Sequence, residues 1–288
     1  MTTQKLFNYC KLMRLNKPIG IWLLLWPTLW ALWVASEGWP NQNLFIIFTL
    51  GVIIMRSAGC VLNDYVDQNI DLHVKRTQMR PIVSGQISSK EALVLFILLG
   101  LAAISLAMML NRMTQLLATI AASLTIIYPF IKRFFSLPQF VLGIAFGWAI
   151  PMVFAAVTGG VPIIAWLLFG TVVIWAVIYD TFYAMIDRND DIKVGVKSTA
   201  ILFGDADLFI IAGLQSIMLV MLIFIGFFIK LSIWFFSSIF IASIFMIYHL
   251  WLARNREPHG CYAAFKNNHI IGLVIFFGFL IHYTFNPG

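Results

Sequence analysis

The 288-residue chain carries 61% hydrophobic and only 11% charged residues, with a formal net charge of +7 and a mean hydropathy of +0.91. Ordinary soluble domains hold about 25% charged residues, so this composition excludes a soluble globular domain as well as a disordered chain. It points to the lipid bilayer.

The apolar residues gather into continuous blocks near 19–36, 44–62, 92–110, 115–131, 138–157, 163–183, 208–229, 232–252 and 269–285. A hydrocarbon core of about 30 Å takes about 20 apolar residues per helix, and unbroken rather than alternating blocks select helices over a barrel. The expectation is an all-α polytopic membrane protein: one domain over residues 1–288, nine transmembrane helices. A short basic segment, Lys5 to Lys17, leads directly into the first block with no cleavable signal or transit peptide, as expected of a bacterial inner-membrane protein. Connections at 111–114, 158–162 and 230–232 are short. Those at 63–91 and 184–207 are long and charged, and the first closes on Ser88-Ser89-Lys90-Glu91, a capping box opening the third block.

The basic residues orient the chain. With the N-terminus in the cytoplasm, sixteen of nineteen Lys/Arg fall in cytoplasmic segments, the bias that sets topology. The positive charge is therefore a topology signal, not a nucleic-acid surface. Cys10, Cys60 and Cys261 show neither metal-like nor disulfide-like spacing. The five histidines are scattered with no i,i+4 pair, which excludes a zinc helix. Gly195-Val196-Lys197-Ser198-Thr199 lacks the earlier glycine and the preceding strand of a P-loop. Gly143 and Gly147 are spaced for close helix packing.

Seven of the twelve acids lie in two short segments, Asn63 to Asp71 and Asp180 to Asp191. At about 100° per residue, Arg56, Asn63, Asp64, Asp67 and Asp71 project within an arc of roughly 100°, and Asp180, Asp187 and Asp191 within roughly 40°. Asp67/Asp71 and Asp187/Asp191 are both 120 residues apart, the mark of two four-helix pseudo-repeats plus one appended helix, with a site between the halves. Stacked carboxylates repel unless a cation intervenes, and all-oxygen donors suit Mg²⁺ bridged to phosphate. Asn63, Asp64, Asp67, Asp71, Asp187 and Asp191 are the expected metal ligands. Lys75, Arg76, Arg80, Lys193 and Lys197 follow them as a frame for a diphosphate. Arg56, inside a block, is expected to face the bundle interior.

Asn63-Asp64-xx-Asp67-xxx-Asp71 with Arg80-Pro81 resembles the first aspartate motif of the UbiA superfamily of intramembrane prenyltransferases, and Asp180-xx-Tyr183-Ala184-xx-Asp187-xx-Asp190-Asp191 resembles its second. Arg14 to Gly20, Leu25 to Trp30 and Met55 to Cys60 are similar to the 4-hydroxybenzoate polyprenyltransferase branch of that family, serving ubiquinone biosynthesis. Asn16 departs from the Asp of some relatives and touches neither motif. The resemblance covers essentially the whole chain. It implies a central cavity open to lipid, Mg²⁺ and a polyprenyl diphosphate at the aspartate motifs, and an aromatic acceptor beside the donor's reactive carbon. The acceptor, 4-hydroxybenzoate, is expected among Arg56, Asp180 and Tyr183. Arg56 and Asp191 are the catalytic candidates, with Arg56 holding the acceptor carboxylate or bracing the Asp cluster and Asp191 taking a proton. Homogentisate, naphthoate and haem remain alternative acceptors. A transporter, the rival from another class, would stand single acids at midmembrane instead of crowding them at helix ends.

Overall fold

The computed structural model describes residues 3–74, 76–131 and 133–285, and no strand occurs among them. A short helix α1 (Thr3–Leu12) precedes α2 (Ile19–Ala35) and the 30-residue α3 (Gln42–Asp71). Then come α4 (Ser89–Ala107), α5 (Arg112–Ile131) and the consecutive pair α6 (Pro138–Gly147) and α7 (Ala149–Thr158). The 32-residue α8 (Ile163–Val194) is followed by the single-turn α9 (Thr199–Phe203) and by α10 (Asp207–Phe228), α11 (Ile233–Ala253) and α12 (Pro258–Phe285).

Every expected apolar block is helical. Eight segments are long and apolar enough to cross a membrane, counting Pro138–Thr158 and Thr199–Phe228 as one each. The first block forms α2, an apolar helix of 17 residues. Its rise spans about 26 Å, somewhat less than a full hydrocarbon core, so the described residues show eight long spans and one shorter apolar helix in place of nine equal spans.

Burial separates centre from rim. In α8, Trp175, Ala176, Tyr179 and Phe182 are buried, and the helix packs on α6, α10 and α12. By contrast α4 buries only Ala92 among its residues, leaving Leu98, Leu101 and Ile104 exposed on the outer face. Lipid supplies no hydrophobic drive between helices, so small residues and polar ties set their approach. A Cβ on Gly143 would stand 2.8 Å from the Val173 carbonyl oxygen, so α6 and α8 touch backbone to backbone there. One on Gly272 would meet Trp175 at 2.5 Å and Trp26 at 2.7 Å. Trp30 donates to the Gly272 carbonyl at 2.9 Å and stacks on Trp175 at 5.4 Å, joining α2, α8 and α12.

One end of the bundle carries a second, smaller core. Leu12 of α1 packs with Val61, Ile82, Ile87 and Ala92, so the basic N-terminal segment is a folded cap and not a loose leader. The chain then enters α4 through the capping box read from the sequence, with Ser88 and Glu91 bonding each other's backbone amides.

Candidate active site

Both acidic segments are helical to their ends. The first closes α3 at Asp71 and the second runs on in α8 to Val194, so the expected phases hold. Asp67 is 0% exposed, Asp64 2% and Asp71 5%, values that carboxylates reach only when partnered.

Their partners are arginines. Arg14 donates to both Asp64 oxygens at 2.9 and 3.0 Å, and Arg80 lies 3.0 Å from Asp64 and 2.6 Å from Asp71. Arg133 stands 3.9 Å from Asp67 and donates to the Val66 carbonyl at 3.0 Å. Arg76 crosses to the other segment: its Nε reaches Asp187 at 3.0 and 3.1 Å, its Nη2 at 2.5 Å, and its Nη1 donates to the Tyr183 hydroxyl at 2.5 Å. The Arg76 guanidinium also lies 4.7 Å from the Tyr183 ring centre, and Tyr183 rests on Phe265 at 4.6 Å. One arginine from the α3–α4 connection thus fastens the two acidic segments together.

Burial opposes the charge on Arg76, but Tyr183, the hydrogen bonds to Asp187 and the charges of Asp187 and Asp71 outweigh it and raise its pKa above the ordinary guanidinium value. Arg80 behaves alike, with burial overcome by Asp64 and Asp71. Both remain cations throughout the physiological range.

About 10 Å deeper, seven residues back along each helix, lies a second layer. Arg56 donates from Nη1 to Cys60 Sγ at 2.7 Å and sits 5.7 Å from the Phe146 ring centre. Its Nε is buried with no partner among the described residues. The Asp180 carboxylate and the hydroxyls of Tyr128 and Tyr179 lie within its electrostatic reach. A Cβ on Gly20 would collide with its guanidinium, so α2 is shaped to admit this side chain. Arg56 faces the bundle interior, as expected.

Other expected members stand apart. The exposed Lys193 pairs at 3.4 Å with the part-buried Asp190, because at about 100° per residue it points roughly 140° away from the Asp180–Asp187–Asp191 stripe. Lys197 donates to the Phe134 carbonyl at 2.9 Å. Asn63 and Asp191 are partly exposed beside the buried acids, and Lys75 lies outside the described residues. Tyr183, expected against the acceptor, is engaged by Arg76. Among the described residues no three acidic, histidine or cysteine side chains converge closely enough to hold an ion. The donor set, carboxylates and one amide on two facing helix ends, nonetheless has the chemistry of a hard divalent cation site.

Sequence reading did not single out Arg14, Arg133, Asp207 or Tyr128. Arg14 opened a family-like stretch without a role, and Arg133 counted only toward topology. Their partners lie 50 and 67 residues away along the chain, beyond any local pattern.

A description of the UbiA prenyltransferase family matches residues 24–280. A 4-hydroxybenzoate octaprenyltransferase of Coxiella burnetii (strain CbuK_Q154) is 50% identical over 280 residues, 97% of this chain and 98% of that one. The enzyme of the same name from Nitrosococcus oceani is 51% identical over 280 residues, again 97% and 98% of the two chains. Among solved structures, a UbiA homolog from Aeropyrum pernix K1 superposes with a TM-score of 0.80 at 23% identity, over 91% of this chain and 97% of that one. A UbiA homolog from Archaeoglobus fulgidus bound to GPP and Mg²⁺ gives 0.74 at 18% identity, over 96% and 99%.

Proposed function

This chain belongs to the UbiA prenyltransferase family, and from that membership we infer that it transfers a polyprenyl group from polyprenyl diphosphate to 4-hydroxybenzoate, releasing diphosphate and 3-polyprenyl-4-hydroxybenzoate. The relatives that share half of its sequence over nearly its full length carry that activity in their names. The observation that carries the reading into this structure is the Arg76 bridge from Asp187 and Tyr183 to the end of α3. It supports reading the two acidic segments as one site, since Arg76 leaves the connection just after α3 and reaches α8.

Asn63, Asp64, Asp67, Asp71, Asp187 and Asp191 would hold Mg²⁺. Asp64 stays in the set: its pairing with Arg14 and Arg80 is of the same kind as that of Asp71 with Arg80 and of Asp187 with Arg76. Bound Mg²⁺ supplies Lewis-acid neutralisation of the leaving diphosphate. Arg76 and Arg80 neutralise the same developing charge from fixed positions, at no cost of reorganisation during reaction. As the C–O bond to the allylic C1 breaks, a C–C bond forms to the ring carbon ortho to the hydroxyl, and the ring proton leaves. Asp191, the candidate for removing the phenolic proton, lies about 16 Å along α8 from Asp180, so the released diphosphate is the proposed acceptor of the ring proton. Arg56, one layer deeper, holds the acceptor carboxylate, with Asp180 beside it. The rings of Phe146, Tyr128 and Tyr179 wall this layer and exclude water from the allylic cation, which their faces also attract.

The chain is a multi-span membrane protein. The reading places it in a bacterial inner membrane with the N-terminus and both acidic helix ends in the cytoplasm, supported by the sixteen Lys/Arg on that side.

The test is an assay of the purified protein with one labelled polyprenyl diphosphate and a panel of acceptors: 4-hydroxybenzoate, homogentisate, a naphthoate and haem. Product from 4-hydroxybenzoate alone is expected. Equal or better transfer to another acceptor would overturn the assignment.

A further inference from the structure

Apolar packing does not hold the catalytic end of α8. Ile186 still packs half-buried against the main core, but no residue from Asp187 to Val194 is buried, and this stretch carries Asp187 and Asp191. The last firm anchors upstream are Met185, which is buried, and the Thr181 hydroxyl, 2.7 Å from that of Thr199. Beyond them the helix end is steered by charge. Arg76 grips it from the α3 side through Asp187. On the other side stands a cluster that the reaction does not use.

Asp207 opens α10 and is 0% exposed. It accepts from Arg256 Nε at 3.0 and 3.1 Å and from Nη2 at 2.8 Å, and also from the Leu208 amide at 2.6 Å. Arg256 donates further to the Asp205 carbonyl at 2.7 Å. The remaining cation facing Asp207 is Arg188, whose Nη1 lies 3.6 Å from Oδ2. Arg188 follows Asp187 directly, so it projects about 100° around the helix from that carboxylate.

The same device recurs in the first half. There the buried Asp64 is gripped by Arg14 and also holds Arg80 beside Asp71. Both gripping arginines, Arg14 at φ 59° and Arg256 at φ 55°, lie in left-handed backbone, a region that non-glycine residues enter rarely. In each half a buried aspartate takes one arginine from a left-handed turn and offers its other side to an arginine next to the acid face.

We propose that Asp207 and Arg188 are positioning residues that fix the rotation of the α8 end, so that Asp187 and Asp191 face Arg76 and the first acidic segment. The proposal rests on the prenyl-transfer reading and adds to it what holds the second motif in place.

The test uses the full-length protein in lipid nanodiscs, as wild type, Arg188→Gln and Asp207→Asn. Amide hydrogen exchange over residues 186–194 is expected to rise about 10-fold or more in both variants, the scale of losing a charge-assisted contact, while residues 163–180 keep wild-type exchange. The half-saturating Mg²⁺ concentration and the donor KM should rise by a similar ~10-fold, with the 4-hydroxybenzoate KM within ~2-fold of wild type. Arg188→Lys should recover part of both effects, since lysine keeps the charge without the fork. Should Asp207→Asn fail to fold, Arg188→Gln decides, as its side chain is 25% exposed. Wild-type exchange at 186–194 in Arg188→Gln, or a lower yield of enzyme with unchanged Mg²⁺ and donor dependence, overturns the proposal. A wild-type protein with no Mg²⁺-dependent turnover would sink the underlying reading instead, and the exchange data alone would then judge the anchor.

Discussion

The three aspartates closing α3 follow one another at about one turn, and their ion pairs differ: Asp64 takes Arg14 and Arg80, Asp71 shares Arg80, and Asp67 stands 3.9 Å from Arg133. Asp64 is paired with two guanidinium groups, so Asp64→Ala leaves two part-buried cations without their carboxylate. It should destabilise the protein by about 1–3 kcal/mol, read as a fall in thermal midpoint in detergent. A midpoint within a degree or two of wild type would contradict that assignment. Asp67→Asn and Asp71→Asn should each lower turnover by ~10²-fold or more while the folded fraction stays high, and near wild-type turnover in Asp67→Asn would remove its metal role. Arg56→Ala should raise the 4-hydroxybenzoate KM by about 10- to 100-fold and barely move that for the donor, with Lys rescuing only partly. If the donor KM and Mg²⁺ requirement moved instead, Arg56 would belong to the Asp cluster. Helical phase alone exposed these acids and Arg56 in the sequence, since a repeat of about 100° per residue needs no tertiary information. It could not separate the partners of Asp64 from those of Asp67, because what distinguishes them is Arg14, in the turn between α1 and α2.

The long elements were legible because each is a continuous apolar run whose length the bilayer dictates. The Ser88–Glu91 box was legible for a similar reason, its partners being three residues apart. Less visible was α1, with only ten residues and an apolar pair, Leu6 and Phe7, left exposed. Its stability comes from burying Leu12 against Val61 and Ile87, contacts that no local pattern encodes. Lys193 and Lys197 show the opposite failure: adjacency to the acids suggested a shared site, and helix phase and a backbone carbonyl took them elsewhere. Gly143 was read as a packing residue and is one. It also has a functional address, since α6 carries Gln139, whose Oε1 accepts from the Thr199 amide at 2.9 Å just beyond the second motif. Gly143→Ala should push α6 off the α8 backbone and cost about 1–3 kcal/mol, measured by thermal unfolding. An unchanged midpoint would show that the helices can separate freely there.

Taken whole, the molecule places its charge at one end and its aromatic bulk in the middle. The long α3 and α8 begin 121 residues apart, at Gln42 and Ile163, and both carry acids near their C-terminal ends, matching the 120-residue offset of their aspartates. Arg76 closes the gap between them, and the Arg56–Asp180 layer lies beneath. That geometry suits a diphosphate held at the membrane surface, with its chain running into lipid and a small aromatic acid inside. The central claim is that the two acidic ends form a single Mg²⁺-dependent diphosphate site. Its most direct measurement is the transfer of label from a polyprenyl diphosphate to 4-hydroxybenzoate by the purified protein, before and after exhaustive chelation. The account predicts turnover that disappears with EDTA and returns on adding excess Mg²⁺; undiminished transfer in the chelated enzyme would contradict it.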